Sequence, residues 1–336
     1  MGIVARPARR VPAVLALVAA AAFGVACGGA EPAPADDAVA EATAVAPTEA
    51  PREEVAWFEG DVEAAFAAAK AERKPVFLYW GAVWCPPCYY LKERVFHRPE
   101  FVAKSKEFVS VYLDGDTERA QIWGETFDVQ GYPTVIVFDP DGAEVTRLTS
   151  GIDAEAYASV LDTAKAKLTP IGDVLAAVEA AGPAAAAPED LELLAFYAWS
   201  QDSLLQLDSE TKQATFKRLW QETSASLQPA RSRFLCLWLE ELHQARSDAE
   251  GAAEEGETPE LPGLTADEAT AVSAELAALF ADPAQRAANT NTIYYWSEET
   301  ATLLHPEPGP ERDAFAAAWT AAAQAIENDE AMTVDD

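Results

Sequence analysis

The sequence predicts two architectures in series: an α/β half with a mixed central sheet flanked by helices, followed by an all-helical half. Three observations lead there. Helix and strand patterns alternate over residues 61–168, the turn Asp139-Pro140-Asp141-Gly142 joins two strands directly and so sets them antiparallel, and no strand pattern follows Leu168.

The elements follow in order. Residues 61–73 place Val62, Phe66 and Ala69 on one helical face, and residues 76–80 form a short apolar run that reads as a buried strand. A helix is expected over 86–96, and 99–108 reads as its continuation or as a second short helix. A strand at 109–113, a helix at 118–127 and strands at 134–138 and 144–148 come next, and a helix over 153–168 closes the half. Beyond it, amphipathic segments with aromatic anchors occupy 191–200, 212–227, 230–246, 266–280, 289–304 and 312–326. Thr265-Ala266-Asp267-Glu268 is a capping box that starts the fourth of these, and 247–262 reads as an acidic loop. Trp199, Trp220, Trp238, Trp296 and Trp319 fill a core or a partner groove, and Cys236, inside Phe234-Leu235-Cys236-Leu237-Trp238, reads as a buried, inert thiol.

Chemistry concentrates at Trp84-Cys85-Pro86-Pro87-Cys88. Two thiols three residues apart at the start of a helix read as a redox-active dithiol. If the helix begins after Cys85, that residue is the N-cap, where unpaired N–H groups and the positive helix end favour a thiolate, the attacking species in disulfide exchange. Pro86 and Pro87 suit a first helical turn, but they also remove two donors, which leaves the Cys88 N–H and the helix end to face the sulfur. A zinc half-site and a purely structural disulfide are the alternatives. The remaining cysteines, Cys27 and Cys236, and the histidines His97, His243 and His305 show no ligand spacing, so no metal and no organic cofactor are expected.

A net charge of -32 over 336 residues excludes nucleic acid and electrostatic binding to anionic membranes. Arg6, Arg9 and Arg10 precede an apolar stretch over 11–25 and small residues ending at Cys27, the layout of a signal peptide and too short for a comfortable transmembrane helix. Gly24-Val25-Ala26-Cys27 resembles a bacterial lipobox, with Cys27 as the lipidated residue. Gly24 stands where a large aliphatic residue is usual, so ordinary signal cleavage nearby is the alternative. Residues 28–54 are rich in Ala, Pro, Glu and Asp, cannot bury enough apolar surface to order themselves, and read as a flexible tether.

Residues 55–168 resemble a thioredoxin-fold domain. The resemblance rests on W-C-x-x-C after the first core strand, on Tyr132-Pro133-Thr134 opening the next hairpin, and on the glycine turn before the last strand. Glu93-Arg94-Val95-Phe96, Pro99-Glu100-Phe101 and Val111-Tyr112-Leu113-Asp114 are similar to the thioredoxin-like domains of bacterial thiol:disulfide interchange proteins. The resemblance implies Cys85 as nucleophile, Cys88 as resolving cysteine and Pro133 as a cis proline facing them. Trp84, Tyr132 and Thr134 are the expected substrate-binding residues, with Tyr89 and Tyr90 further rim candidates and Trp80 a core residue. Tyr79 departs from the pattern by standing where many thioredoxins carry a buried acid, and a phenol is a poor base at neutral pH. Glu93 is an alternative carboxylate, read as a solvated helix residue.

The implied organisation is a signal peptide (1–27), a linker (28–54), a thioredoxin-like domain (55–168) and a helical domain (169–336). The implied function is a thiol-disulfide oxidoreductase of the bacterial cell envelope or periplasm, tethered through Cys27 and favouring reduction. Its partners would be protein thiols and disulfides and a membrane or thioredoxin-type electron donor. The competing reading is a scaffold whose helical domain recruits a partner.

Overall fold

In the computed structural model the α/β half is built on four strands, β1 (Val76–Gly81), β2 (Val109–Asp114), β3 (Thr134–Phe138) and β4 (Glu144–Thr149), in the order β2-β1-β3-β4. The structure describes residues 54–149, 154–253 and 258–332, so the expectations for residues 1–53, Cys27 among them, lie outside it. β1 runs parallel to β2 and antiparallel to β3, and β3 pairs antiparallel with β4. The turn before β4 closes with Gly142 at φ 93°, a conformation that glycine adopts without a Cβ penalty.

Strand alternation sends alternate side chains to opposite faces, and each face has its own core. On one face Val76, Leu78, Trp80, Val111, Leu113, Ile136 and Phe138 pack under α1 (Val62–Glu72). Asp61 caps α1 by accepting the Ala64 N–H at 2.7 Å. On the other face Phe77, Tyr79, Val135, Val137 and Leu148 pack under α2 (Pro86–Leu91) and the residues that follow it.

The single helix expected over 86–96 divides, because α2 passes at Lys92–Phe96 into a π-helical turn. Leu91 and Phe96 are both buried yet five residues apart, a spacing an α-helix would put on different faces and a π turn aligns. Phe96 thereby reaches Tyr79 at 4.9 Å and Phe101 at 5.0 Å between ring centroids. Phe101 lies on α3 (Pro99–Ser105), a separate short helix. α4 (Glu118–Thr126) lies against the first face, where Trp80 donates to Ala120 O at 3.3 Å, and α5 (Ala154–Lys167) covers the second.

No strand follows β4 among the described residues. The helices are α6 (Ile171–Ala181), α7 (Pro188–Phe196), α8 (Ser209–Glu222), α9 (Ala230–Ala252), α10 (Ala266–Ala281), α11 (Pro283–Ala288), α12 (Thr290–Tyr295), α13 (Ser297–Leu304) and α14 (Pro310–Met332). Several differ from expectation: α7 and α8 start and end earlier than expected, and α11 is an additional short helix opened by Pro283. α6 was not anticipated, although Pro170 before it and Gly182 after it, at φ 82°, frame a helix that buries Val174, Leu175 and Val178. α9 continues into the stretch read as acidic loop, through Ala252, since its small and acidic residues tolerate a helix and Gln244 bonds Asp248 one turn on at 2.7 Å. The segment at 289–304 breaks at Trp296, whose ring stacks on His243 at 5.4 Å instead of continuing a helix. The Thr265 capping box is present as expected.

The core on the second sheet face runs without interruption into this bundle, through Ile171, Val174, Leu191, Leu194, Phe216 and Phe234 to Trp319. Ser159 and Thr163 of α5 each donate to the Glu192 carboxylate of α7 at 2.6 Å, and Lys167 pairs with Asp190. Trp199, Trp220, Trp238 and Trp319 are buried core residues, and Trp296 is half-buried. Among the described residues no helix is long and apolar enough to cross a membrane.

Candidate active site

The dithiol sits where β1 gives way to α2. Cys85 is the N-cap, extended at φ −89° and ψ 109°, and its sulfur accepts the Cys88 N–H at 3.2 Å. Pro86 and Pro87 carry no N–H, so Cys88 supplies the first one the helix can offer. The two sulfurs are at bonding distance, with Cα atoms 5.2 Å apart. Cys85 is 4 % exposed and Cys88 1 %, so both residues are buried.

Around this pair the chain builds an aromatic rim. Trp84 is 63 % exposed and meets Tyr132 edge-on, with ring centroids 6.3 Å apart. So exposed a ring would ordinarily be free to rotate. Here its indole N–H donates to both carboxylate oxygens of Asp116, at 3.0 and 2.9 Å. Asp116 belongs to the loop between β2 and α4, which turns on the Asp114 carboxylate accepting the Asp116 N–H at 3.2 Å. The same loop holds Tyr132: a Cβ on Gly115 would lie 2.3 Å from its ring, so only glycine permits the approach. Gln121 of α4 donates to Gly115 O at 2.5 Å and to the Tyr132 hydroxyl at 3.1 Å. The Tyr132–Pro133 peptide bond is cis, and Tyr132 packs against the cluster formed by Ala82, Cys85 and Cys88. Val83 and Tyr89 add exposed apolar surface beside the motif, and Tyr90 is half-buried under the Arg94 guanidinium.

The structure thus gathers Cys85, Cys88, Trp84, Tyr132 and Pro133 in one place. Thr134 arrives there too, but fully buried, so its side chain offers no surface for substrate. Its hydroxyl donates to Gly131 O at 2.7 Å and lies within hydrogen-bond distance of the Gln201 side-chain amide, at 3.1 Å. The sequence reading missed Gly115, Asp116, Gln121 and Gln201. A glycine between two aspartates after a strand marks a loop, but nothing in the sequence pairs that loop with Trp84.

No acid lies beneath the site at the Tyr79 position. Tyr79 is buried, stacks on Tyr112 at 5.4 Å, and has its pKa pushed well above the usual phenol range, first by burial and then by Tyr112. It stays protonated and cannot serve as a base near neutrality. Buried Tyr157 is shifted the same way, by burial and then by Tyr79. Glu93 is turned toward His97 Nδ1, 3.3 Å away on the same helical run. Among the described residues no His, Cys, Asp and Glu side chains gather as a metal site. Cys236 lies inside α9, where burial pushes its thiol up to about 12.

Residues 56–140 match the family model for thioredoxin-like domains. The chain is 32% identical over 101 residues to the thiol:disulfide interchange protein DsbD of Vibrio vulnificus, a match that covers 29% of this chain and 17% of that protein. It is 31% identical over 101 residues to DsbD 2 of Pseudomonas aeruginosa, covering 29% of this chain and 17% of the other. It is also 33% identical over 70 residues to a thioredoxin H-type of Brassica oleracea, covering 20% of this chain and 52% of that one. The solution structure of a thioredoxin from Thermus thermophilus aligns at 25% identity with a TM-score of 0.31, over 34% of this chain and 90% of that one. The chain therefore spans only a small part of the length of the interchange proteins it matches. This region is a thioredoxin-like domain, similar to thiol-disulfide oxidoreductases, and it carries Cys85 and Cys88 at disulfide distance.

Proposed function

We propose that the protein exchanges disulfides with cysteines of other proteins, in the direction of reduction, as an exported and membrane-tethered enzyme. The observation that carries this reading is Cys85 at a helix N-cap, with the Cys88 N–H on its sulfur and an anchored, exposed Trp84 beside it. With the pair reduced, the Cys85 thiolate attacks one sulfur of a substrate disulfide. A Cys85–substrate bond forms, the substrate S–S bond breaks, and the second substrate sulfur leaves as a thiolate that takes a proton from water. Cys88, deprotonated to water, then attacks the Cys85 sulfur, which closes the Cys85–Cys88 disulfide and releases the first substrate sulfur. Two electrons pass to the substrate, and an external dithiol donor returns them.

Tyr79 is held protonated and so leaves the proton to water in this reading. Tyr132 and cis Pro133 form the wall against which an extended substrate backbone lies, and Trp84 covers its apolar side chains. Export and tethering rest on the sequence at residues 6–27, with Cys27 as the anchor and 28–54 as spacer. Exchange is tested with the purified protein and a disulfide-bonded protein substrate. Cys85→Ser abolishes it, whereas Cys88→Ser accumulates mixed disulfides stable to alkylation. An active Cys85→Ser protein would overturn the mechanism. Cys27→Ala moves the protein from the membrane fraction to the soluble one; retention in the membrane would remove the lipid anchor from the account.

A further inference from the structure

A short segment after α7 brings the helical half to Thr134, beside the Tyr132–Pro133 bond. After α7 the chain lies along β4, an edge strand, and Ala198 N–H donates to Arg147 O at 2.9 Å. Arg147 is fully buried. Its guanidinium grips Glu144 at 3.0 and 2.9 Å and donates to Gln201 O at 3.0 Å and Asp128 O at 3.3 Å. Tyr197 donates to Asp202 at 2.9 Å and lies 3.3 Å from Glu144. On the other side the segment is fastened by Trp199, which donates to Leu194 O at 2.8 Å and meets Phe216 of α8 at 5.0 Å. From this doubly held backbone the Gln201 side chain extends to the Thr134 hydroxyl, which also bonds Gly131 O. One hydroxyl therefore ties Gln201 to both ends of Gly131-Tyr132-Pro133-Thr134.

We infer that Gln201 is a positioning residue for exchange, through which the helical half fixes the Tyr132–Pro133 wall over the dithiol for polypeptide substrates. The inference rests on the proposed role of that wall in holding substrate backbone. A buried hydroxyl that loses a partner leaves its loop less tightly defined, and an extended substrate must then order the loop as it binds. A small disulfide with no peptide backbone makes no use of the wall.

The test uses the full chain, with insulin as the protein disulfide and cystamine as the small one. Gln201→Met keeps the side-chain length and removes the amide. It is expected to lower kcat/KM on insulin about fivefold, the effect of one net hydrogen bond, and to do so through KM. The cystamine rate, the pH profile of Cys85 alkylation and the melting temperature should stay at parental values. Thr134→Val, which also removes the bond to Gly131 O, should cost at least as much as Gln201→Met, the double variant should be no worse than Thr134→Val alone, and Thr134→Ser, which keeps the hydroxyl, should behave as the parent. An unchanged insulin rate in Gln201→Met would overturn the inference while leaving the exchange reaction in place. Equal slowing on both substrates with a lower melting temperature would overturn it in favour of a purely structural link. A parent protein inactive on both disulfides would remove the exchange reading itself, and the inference with it.

Discussion

Cys85 and Cys236 carry the same side chain in two settings, and the proposed chemistry rests on the difference between them. Cys85 stands at the N-cap of a helix, with an N–H directed at its sulfur and exposed Trp84 beside it. Cys236 stands in the middle of α9 among Phe234, Leu235 and Leu237, and burial pushes its thiol up to about 12. Place separates them: a helix end and a nearby rim are the setting of the proposed nucleophile, while a helix interior and an apolar shell make a packing unit. The same contrast holds between the halves. The sheet half places an anchored aromatic at its surface beside the dithiol, whereas the helical half spends four of its tryptophans on the core.

The sharpest way to break this comparison is to exchange the roles of the two thiols. Cys85→Ser is expected to abolish turnover, and Cys236→Ser to leave kcat/KM on insulin at the parental value. A thiol count by alkylation at pH 8 should find Cys236 reactive only after unfolding, and rapid native labelling there would contradict its burial.

The next effect separates the halves by pH. Burial, then Arg246, lowers the His243 pKa to about 4 from 6.5. His243 is held neutral against Trp296, 3.0 Å from the Thr300 hydroxyl. Because the folded-state value lies below the unfolded one, the unfolded chain binds the extra proton first. Its contribution is present above pH 6.5 and is lost as pH falls toward 4, up to about 3 kcal/mol. Melting from pH 7 to 4.5 should show a shallower fall for His243→Phe than for the parent, and parallel curves would refute the assignment. The buried phenols act at the other end of the scale. Tyr79, Tyr157 and Tyr197 have raised folded-state values, chiefly through burial, so their contribution is complete below about pH 10 and declines above it.

Smaller effects refine the rim. Trp84→Ala is expected to lower kcat/KM on insulin about tenfold, as loss of an aromatic anchor does, with little change for cystamine. Asp116→Ala, which keeps the ring but frees it, should cost about threefold on insulin, one modest hydrogen bond. An Asp116→Ala effect as large as that of Trp84→Ala would mean that the carboxylate itself meets the substrate.

Much of the sheet half could be read from the sequence because its signals are local. The Val76 to Trp80 run, the paired prolines after Cys85 and the Asp139 to Gly142 turn each act within a few residues. Pro86 and Pro87 even indicated that the Cys88 N–H would face the sulfur, as it does. What stayed hidden depends on distance along the chain. Asp116 reaches Trp84 across 32 residues, and Gln201 reaches Thr134 across 67, through side chains that have no pattern until the sheet brings them together. Thr134 is expected among the substrate-binding residues. Strand alternation instead turns it inward on the Trp80 face. In the helical half the missed helix α6 and the misplaced end of α9 reflect weak local signals, since Ala-rich and acidic stretches suit helix and loop nearly equally.

The central claim is that Cys85 and Cys88 form a working redox couple poised to reduce protein disulfides. Equilibrating the purified protein in dithiothreitol and glutathione buffers, and reading the two thiols by alkylation, tests it most directly. The account predicts one reversible two-electron transition near or below about −250 mV. A protein that shows no reversible transition between those buffers would contradict it.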